Sequence, residues 1–228
     1  MKRILISIFI VLLFVCCTKR ENSKQPNSTH FDSLTIENET FYFDSITRFE
    51  YEKLKYDGLK NIDTLIIDTT RIKIKKDTIS IFPLNGKTVT FINDTVESED
   101  MVKYKYLKTI KSCNSILIVA SYWESYSYYL VNILNGQNTK LWDLPNFSPN
   151  NKFIISSSAY LDYADMPNGF QLFKVETDGI KLIFDKGLDD WEANEIKWKS
   201  DSTIYIKRAK LDKGGDRIYD YLTTRIIK

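Results

Sequence analysis

One histidine, His30, is all the chain has, and it stands among polar residues near the N-terminus, so a folded domain downstream can hold neither a His-dependent catalytic triad nor a multi-histidine metal site. Cysteine is almost as scarce: Cys16 and Cys17 are adjacent, and Cys113 stands alone before the apolar run Ile116-Leu117-Ile118-Val119-Ala120. That count rules out a disulfide framework and reads Cys113 as a buried, inert thiol. No apolar run reaches the roughly 20 residues that cross a bilayer. No G-x-x-x-x-G-K-S/T phosphate loop occurs, and Gly214-Gly215 beside Asp216 reads as a turn, so nucleotide chemistry has no support. An excess of either charge is missing too. Without Lys2 and Arg3 the chain carries 30 basic against 30 acidic residues, which removes the electrostatic footprint of a nucleic-acid binder. The basic cluster from Arg71 to Lys76 alternates with isoleucines and reads as the solvent face of a strand.

What the N-terminus does have is the cationic pair Lys2-Arg3 followed by Ile4 to Val15, in which only Ser7 is polar. A run this short makes a signal-peptide core and is inadequate as a permanent anchor. The residues Leu13-Phe14-Val15-Cys16-Cys17 resemble the lipobox of bacterial lipoproteins, with Phe14 in place of the usual leucine. The resemblance implies removal of residues 1–16 and acylation of Cys17, because Cys16 supplies the small residue ahead of the cleavage point. Two or three acyl chains, at about 0.8 kcal/mol per buried methylene, hold a protein firmly where one chain holds it marginally. Residues 17–33 are polar, interrupted by Pro26, and read as a flexible tether with an extended reach of about 50 Å. Lys19-Arg20-Glu21 resembles the lysine-then-acid signals that send some Bacteroidetes lipoproteins to the cell surface. It has a single acidic residue, which leaves the periplasmic and surface sides both open.

From Leu34 to the end, residues 34–228 read as an all-β domain. Period-two alternation recurs in Arg71-Ile72-Lys73-Ile74, Thr78-Ile79-Ser80-Ile81, Thr88-Val89-Thr90-Phe91 and Thr203-Ile204-Tyr205-Ile206. Five of the eight glycines follow Asn or Asp, at Gly58, Gly86, Gly136, Gly169 and Gly179, and predict type I′ hairpins. Short helical turns are placed in Glu97 to Ile110 and Asp189 to Glu195. With 43% hydrophobic and 14% aromatic residues, the chain can build a sizeable core.

A longer period overlies the short one. Tyr129 to Ile133, Asn135-Gly136 and Thr139 to Trp142 match Gln171 to Val175, Asp178-Gly179 and Ile180 to Phe184, with the turns 43 residues apart. Phe147 to Ile155 matches Trp198 to Ile206 at an offset of 51. Such spacing is that of a propeller blade, and at about 40 to 50 residues per blade the domain holds four or five. Phe147-Ser148-Pro149-Asn150-Asn151-Lys152 resembles the FSPDGK turn of TolB-like and WD40-like β-propellers, with Asn-Asn for Asp-Gly. The chain as a whole resembles Bacteroidetes-type lipoproteins carrying such repeats. That resemblance implies an envelope location and an antiparallel, blade-like fold, a small or incomplete β-propeller or else a curved β-sandwich, and no activity.

Aromatic residues beside acids carry the expected site. Trp123, Glu124, Tyr126, Tyr160, Asp162, Tyr163, Trp191 and Glu192 are placed near strand ends as a rim for a protein or glycan ligand. Trp123 and Trp191 each precede a glutamate and are favoured over Trp142 and Trp198 to face it. Asp162, Asp165 and Asn168 share one loop, but their spacing fits no EF-hand and reads as a solvated turn. A glycosidase would need two carboxylates about 5 to 10 Å apart, from Glu124, Asp162, Asp165, Asp190 and Glu192. The reading adopted is a non-enzymatic, lipid-anchored binding or scaffolding module of the bacterial envelope, at the outer membrane, without cofactor or metal. An envelope glycan hydrolase and a structural subunit of an outer-membrane assembly are the alternatives.

Overall fold

The computed structural model describes residues 32–36, 39–55, 64–65, 70–163 and 166–226. The signal and most of the tether, with Cys17 and His30, lie outside the described residues, as do Asp57-Gly58 and Asp165. The fold is all-β, with four antiparallel sheets, none closed into a barrel. The chain opens with β1 (Asp32–Ile36) and β2 (Glu39–Ser45), then helix α1 (Arg48–Lys53) and the short β3 (Thr64–Leu65). Sheet I is β4 (Ile72–Lys75), β5 (Thr78–Ile81) and β6 (Val89–Ile92). Sheet II is β7 (Lys103–Ile110), β8 (Ser115–Ser121), β9 (Tyr126–Asn132) and β10 (Asn138–Leu141), with β3 beside β7. Sheet III is β11 (Asn146–Phe147), β12 (Phe153–Ser158), β13 (Gly169–Glu176) and β14 (Gly179–Gly187). Sheet IV is β15 (Glu192–Trp198), β16 (Thr203–Leu211) and β17 (Arg217–Arg225), completed by the N-terminal hairpin of β2 and β1.

Three apolar clusters put the sheets in order. Ile79, Ile81 and Phe91 of sheet I pack on Ile116, Ile118 and Val131 of sheet II. Leu117, Leu130 and Leu141 of sheet II pack on Phe147, Ile154 and Phe173 of sheet III. Ile155, Phe170 and Leu172 of sheet III pack on Trp198, Ile204, Ile206 and Leu222 of sheet IV. The sheets therefore stand face to face in a row, I to IV, and no cluster joins the two ends of the row among the described residues. Sheets II and III bury both faces, which is why β8 reads as an unbroken apolar run, with Ile116 turned to sheet I and Leu117 to sheet III. Sheet I, at the end of the row, alternates instead and turns Lys73, Lys75 and Thr90 to solvent. At the other end, α1 covers sheet IV: Tyr51 is buried against Tyr221 at 5.0 Å between ring centroids, under the Lys197 ammonium at 4.1 Å. Its Thr47-x-x-Glu50 capping box holds a six-residue helix that packing must sustain.

The repeat read from the sequence is a repeat of sheets. The hairpin β9–β10 and its copy β13–β14 are the last two strands of sheets II and III, and their turns touch. Asn135 Nδ2 donates to the Asp178 carbonyl (2.6 Å), and Gln137 Nε2 to the Ile180 carbonyl (2.8 Å), across the same 43 residues. The second pair behaves likewise, with the Asn150 N–H on Asp201 Oδ1 (2.9 Å) and Trp198 Nε1–H on the Asn146 carbonyl (3.0 Å). Asn151 takes the left-handed conformation (φ 57°), which asparagine tolerates better than most residues.

Two expectations are corrected. Lys103 to Ile110 and Glu192 to Glu195 form strands, because Tyr104 and Tyr106 turn to sheet I while Lys103 and Lys105 face water, a period of two. Among the described residues the Asx-Gly turns are not type I′: Gly86, Gly136 and Gly169 have positive φ, but the asparagines before them do not. Gly179 has no positive φ; it is there because a Cβ would run into the Gln137 amide. Gly86 combines φ 131° with a carbonyl, that of Asn135, in the place of a Cβ. Gly86→Ala should therefore cost more than about 1 kcal/mol in urea denaturation, and an unchanged midpoint would contradict this account of the turn.

Candidate functional site

Antiparallel pairing sends successive connections to alternate ends of the stack. One end collects the touching turns just described. The other collects residues 122–125, 142–145, 159–163, 166–168, 188–191 and 212–216, which bring all eight rim residues predicted from the sequence to one end of the molecule. They do not all face outward. Trp123 and Tyr163 are exposed, Glu124 and Asp162 face solvent, and Tyr126 and Tyr160 are neighbours. Tyr126 stacks edge-on with Tyr128 (5.6 Å), and Tyr160 with Tyr163 (5.8 Å).

Trp191 and Glu192 depart from the expectation, with only 8% and 1% of their surfaces exposed. Trp191 belongs to the core, edge-on to Phe43 at 6.0 Å and beneath the Arg208 guanidinium. Arg208 is itself fully buried, forked onto Asp220 (2.8 and 2.6 Å) and bonded to Asp32 (2.7 Å), which ties the first residue of β1 to β16. Glu192 accepts from Arg217 Nε and Nη2 (both 3.0 Å) and from the Leu161 N–H (3.0 Å). Burial alone would raise its carboxyl, but these hydrogen bonds and the guanidinium charge outweigh it and hold the group below the ordinary value. Arg217 Nη2 also reaches Asp162 Oδ2 at 2.7 Å. Two of the candidate acids thus converge, yet on a guanidinium that fills the space between them. Neither is a free carboxyl poised to protonate a leaving group.

The same end holds an open cleft of about 430 Å³, lined by Tyr122, Tyr126, Ser127, Lys140, Trp142 and Met166. Trp142, Lys140 and Met166 were not nominated by the sequence. Trp142 follows Leu141 at the point where β10 ends and the chain crosses to sheet III, and its N–H bonds to Gln171 Oε1 (2.9 Å). Burial alone would raise the Tyr122 phenol, but hydrogen bonding to Ser127 and Tyr129 and the Lys140 ammonium bring it below the ordinary tyrosine value. The Tyr126 phenol, beside Tyr160 and facing the charge of Asp143, is pushed above the usual range, and burial beside Asp143 pushes Tyr128 up to about 12.

Asp143 is the exception among the partly buried charges at this end. Its Oδ1 accepts from the Leu144 N–H (2.6 Å), and no cation pairs with it among the described residues. Burial raises its pKa, an effect only partly offset by that N–H. A carboxyl raised on folding contributes stability below its unfolded pKa and loses it as pH rises through the folded value. Asp143→Asn should accordingly raise stability at pH 7, by about 0.5–2 kcal/mol, with the gain disappearing in acid. A destabilised variant at pH 7 would show that the charge is satisfied.

Among the described residues no three His, Cys, Asp or Glu side chains converge as a metal set. Cys113 is buried, its thiol pushed up to about 11 by desolvation, and is unreactive at neutral pH. No helix of the described residues is long and apolar enough to cross a membrane. Comparison of the chain with protein-family models, with curated proteins and with solved structures finds no match.

Proposed function

We propose that this protein is a non-enzymatic binding or scaffolding module, held in the bacterial envelope by acyl chains on Cys17. The lipobox-like residues Leu13 to Cys17 and the polar segment after them support the tether. The observation that carries the binding role is the aromatic end of the stack: an open cleft walled by Tyr122, Tyr126 and Trp142, with Trp123 and Tyr163 projecting beside it. Aromatic side chains of this kind bring large contact area at little entropic cost and serve as anchors for a ligand. The hydrolase alternative loses its best acid pair to Arg217.

Labelled fatty acid fed to cells should enter the wild-type chain and not Cys17→Ala, and protease shaving of intact cells reports which side of the membrane the domain occupies. Crosslinking in those cells should then recover one stoichiometric partner. Label in the Cys17→Ala chain removes the anchor assignment. Release of reducing sugar from an envelope glycan by purified protein removes the non-enzymatic reading.

A further inference from the structure

The two ends of the stack differ in charge as sharply as in aromatic content. At the aromatic end, the described connections, including 76–77 and 93–102, hold twelve acidic residues against Lys76 and Lys213 alone. The connections at the opposite end hold Lys87, Lys111, Lys152 and Lys199 against Asp178 and Asp201. Many of the acids are uncompensated. Among the described residues, no hydrogen bond or ion pair engages the side chains of Glu97, Glu99, Asp100, Glu124, Asp189 or Asp190. Such a surface repels itself at a cost to the folded state.

Between these acids, four connections in stack order each present an exposed apolar tip: Val96 (74%), Trp123 (61%), Leu144 (39%) and Tyr163 (61%). Among the described connections of the opposite end, exposed large apolar side chains are confined to Phe82 and Leu84, both between β5 and β6. Apolar anchors ringed by charge of one sign are the build of a protein interface, in which the anchors give affinity and the ring selects the partner.

We propose that the aromatic end docks a basic polypeptide segment, one whose Lys or Arg side chains meet Glu97, Glu99, Asp100 and Glu124 while its apolar residues cover Trp123 and Tyr163. This names the partner's chemistry for the binding role proposed above and rests on that role. Arginine and lysine also stack on Trp and Tyr faces, so the tips and the acids serve the same side chains. The cation meets the tips and not the cleft, which Lys140 already lines with a positive charge. Anionic lipid headgroups are repelled by the same acids, which sets a bilayer surface aside as the occupant.

A photoreactive phenylalanine analogue is placed in the full chain at Trp123 or Tyr163, and for comparison at Asn135 or Asn150 of the opposite end, and cells are irradiated. Adducts should arise from the first two positions only, and the crosslinked peptide should carry a net positive charge. Neutralising the 94–102 connection by Glu97→Gln, Glu99→Gln and Asp100→Asn should cut the adduct yield at Trp123 at least tenfold, with a thermal unfolding midpoint at or above that of the wild type, as relief of the repulsion requires, confirming that the variant folds. Adducts from Asn135 or Asn150 overturn this assignment and leave the binding role standing. So does a neutral or acidic crosslinked segment, an adduct with lipid, or one with a second copy of this chain. Absence of adducts at all four positions overturns the binding role as well.

Discussion

Replacing Trp198 with alanine is expected to lower the unfolding free energy by about 3–5 kcal/mol, the range for truncating a large buried aromatic residue. Trp198 is buried between sheets III and IV, among Ile155, Phe170 and Ile206, and its indole N–H is spent on the Asn146 carbonyl at the equivalent strand of the neighbouring blade. The substitution removes packing and a cross-repeat bond together. Against the 5–15 kcal/mol that holds a typical domain, the variant loses a large share of its stability. Trp123→Ala makes the matching control: the side chain projects from the β8–β9 turn with most of its surface in water, and its removal should change stability by less than about 0.5 kcal/mol. Guanidinium denaturation of both variants, read by far-ultraviolet circular dichroism, checks the pair. A Trp123→Ala variant that unfolds would show that the aromatic end is held together by Trp123 and is not a surface built to bind.

The contrast between those two tryptophans marks what the sequence could and could not tell. Period-two alternation and unbroken apolar runs located the strands, and in hindsight they also sorted them: IKIK and TISI belong to an end sheet, and ILIVA to a sheet enclosed on both sides. The 43- and 51-residue offsets identified blade-level copies because equivalent turns bond to one another, so spacing and contact share one cause. The helix was missed although Thr47-Arg48-Phe49-Glu50 spells a capping box, since six residues are too few to show a periodic stripe. The burial of Trp191 was not legible either. It follows Asp189 and Asp190, which read as solvent-exposed, and only the fold reveals Phe43, arriving from β2 nearly 150 positions earlier, as the ring it packs against. In the same way Glu192 resembled a surface acid until Arg217 closed over it. Long-range pairing of this kind leaves no local pattern.

That ion pair makes the second large prediction, and its sign can be followed with pH. Because Arg217 and the Leu161 N–H hold the Glu192 carboxyl below its ordinary value of 4.5, the folded state gains stability from it above that pH and loses the gain as pH falls through the lowered value. Glu192→Gln keeps the shape and removes the charge. It should cost about 1.5–3 kcal/mol at pH 7, as for hydrogen bonds to charged groups, and the deficit should close as pH falls through the lowered value and the wild-type carboxyl is protonated. Arg217→Ala acts in the opposite sense on the same group. It leaves a buried carboxylate without its cation, burial then dominates, and the pKa of Glu192 rises above the ordinary value. The Arg217→Ala chain should be least stable relative to wild type at neutral pH and recover in acid, and adding Glu192→Gln should restore part of the loss at pH 7. Urea midpoints for the three variants at pH 3.5, 5 and 7 test this. A deficit in Arg217→Ala that stays constant across that range would mean that Arg217 contributes through packing alone, and that the anchoring of Asp162 and the 159–163 connection does not depend on charge.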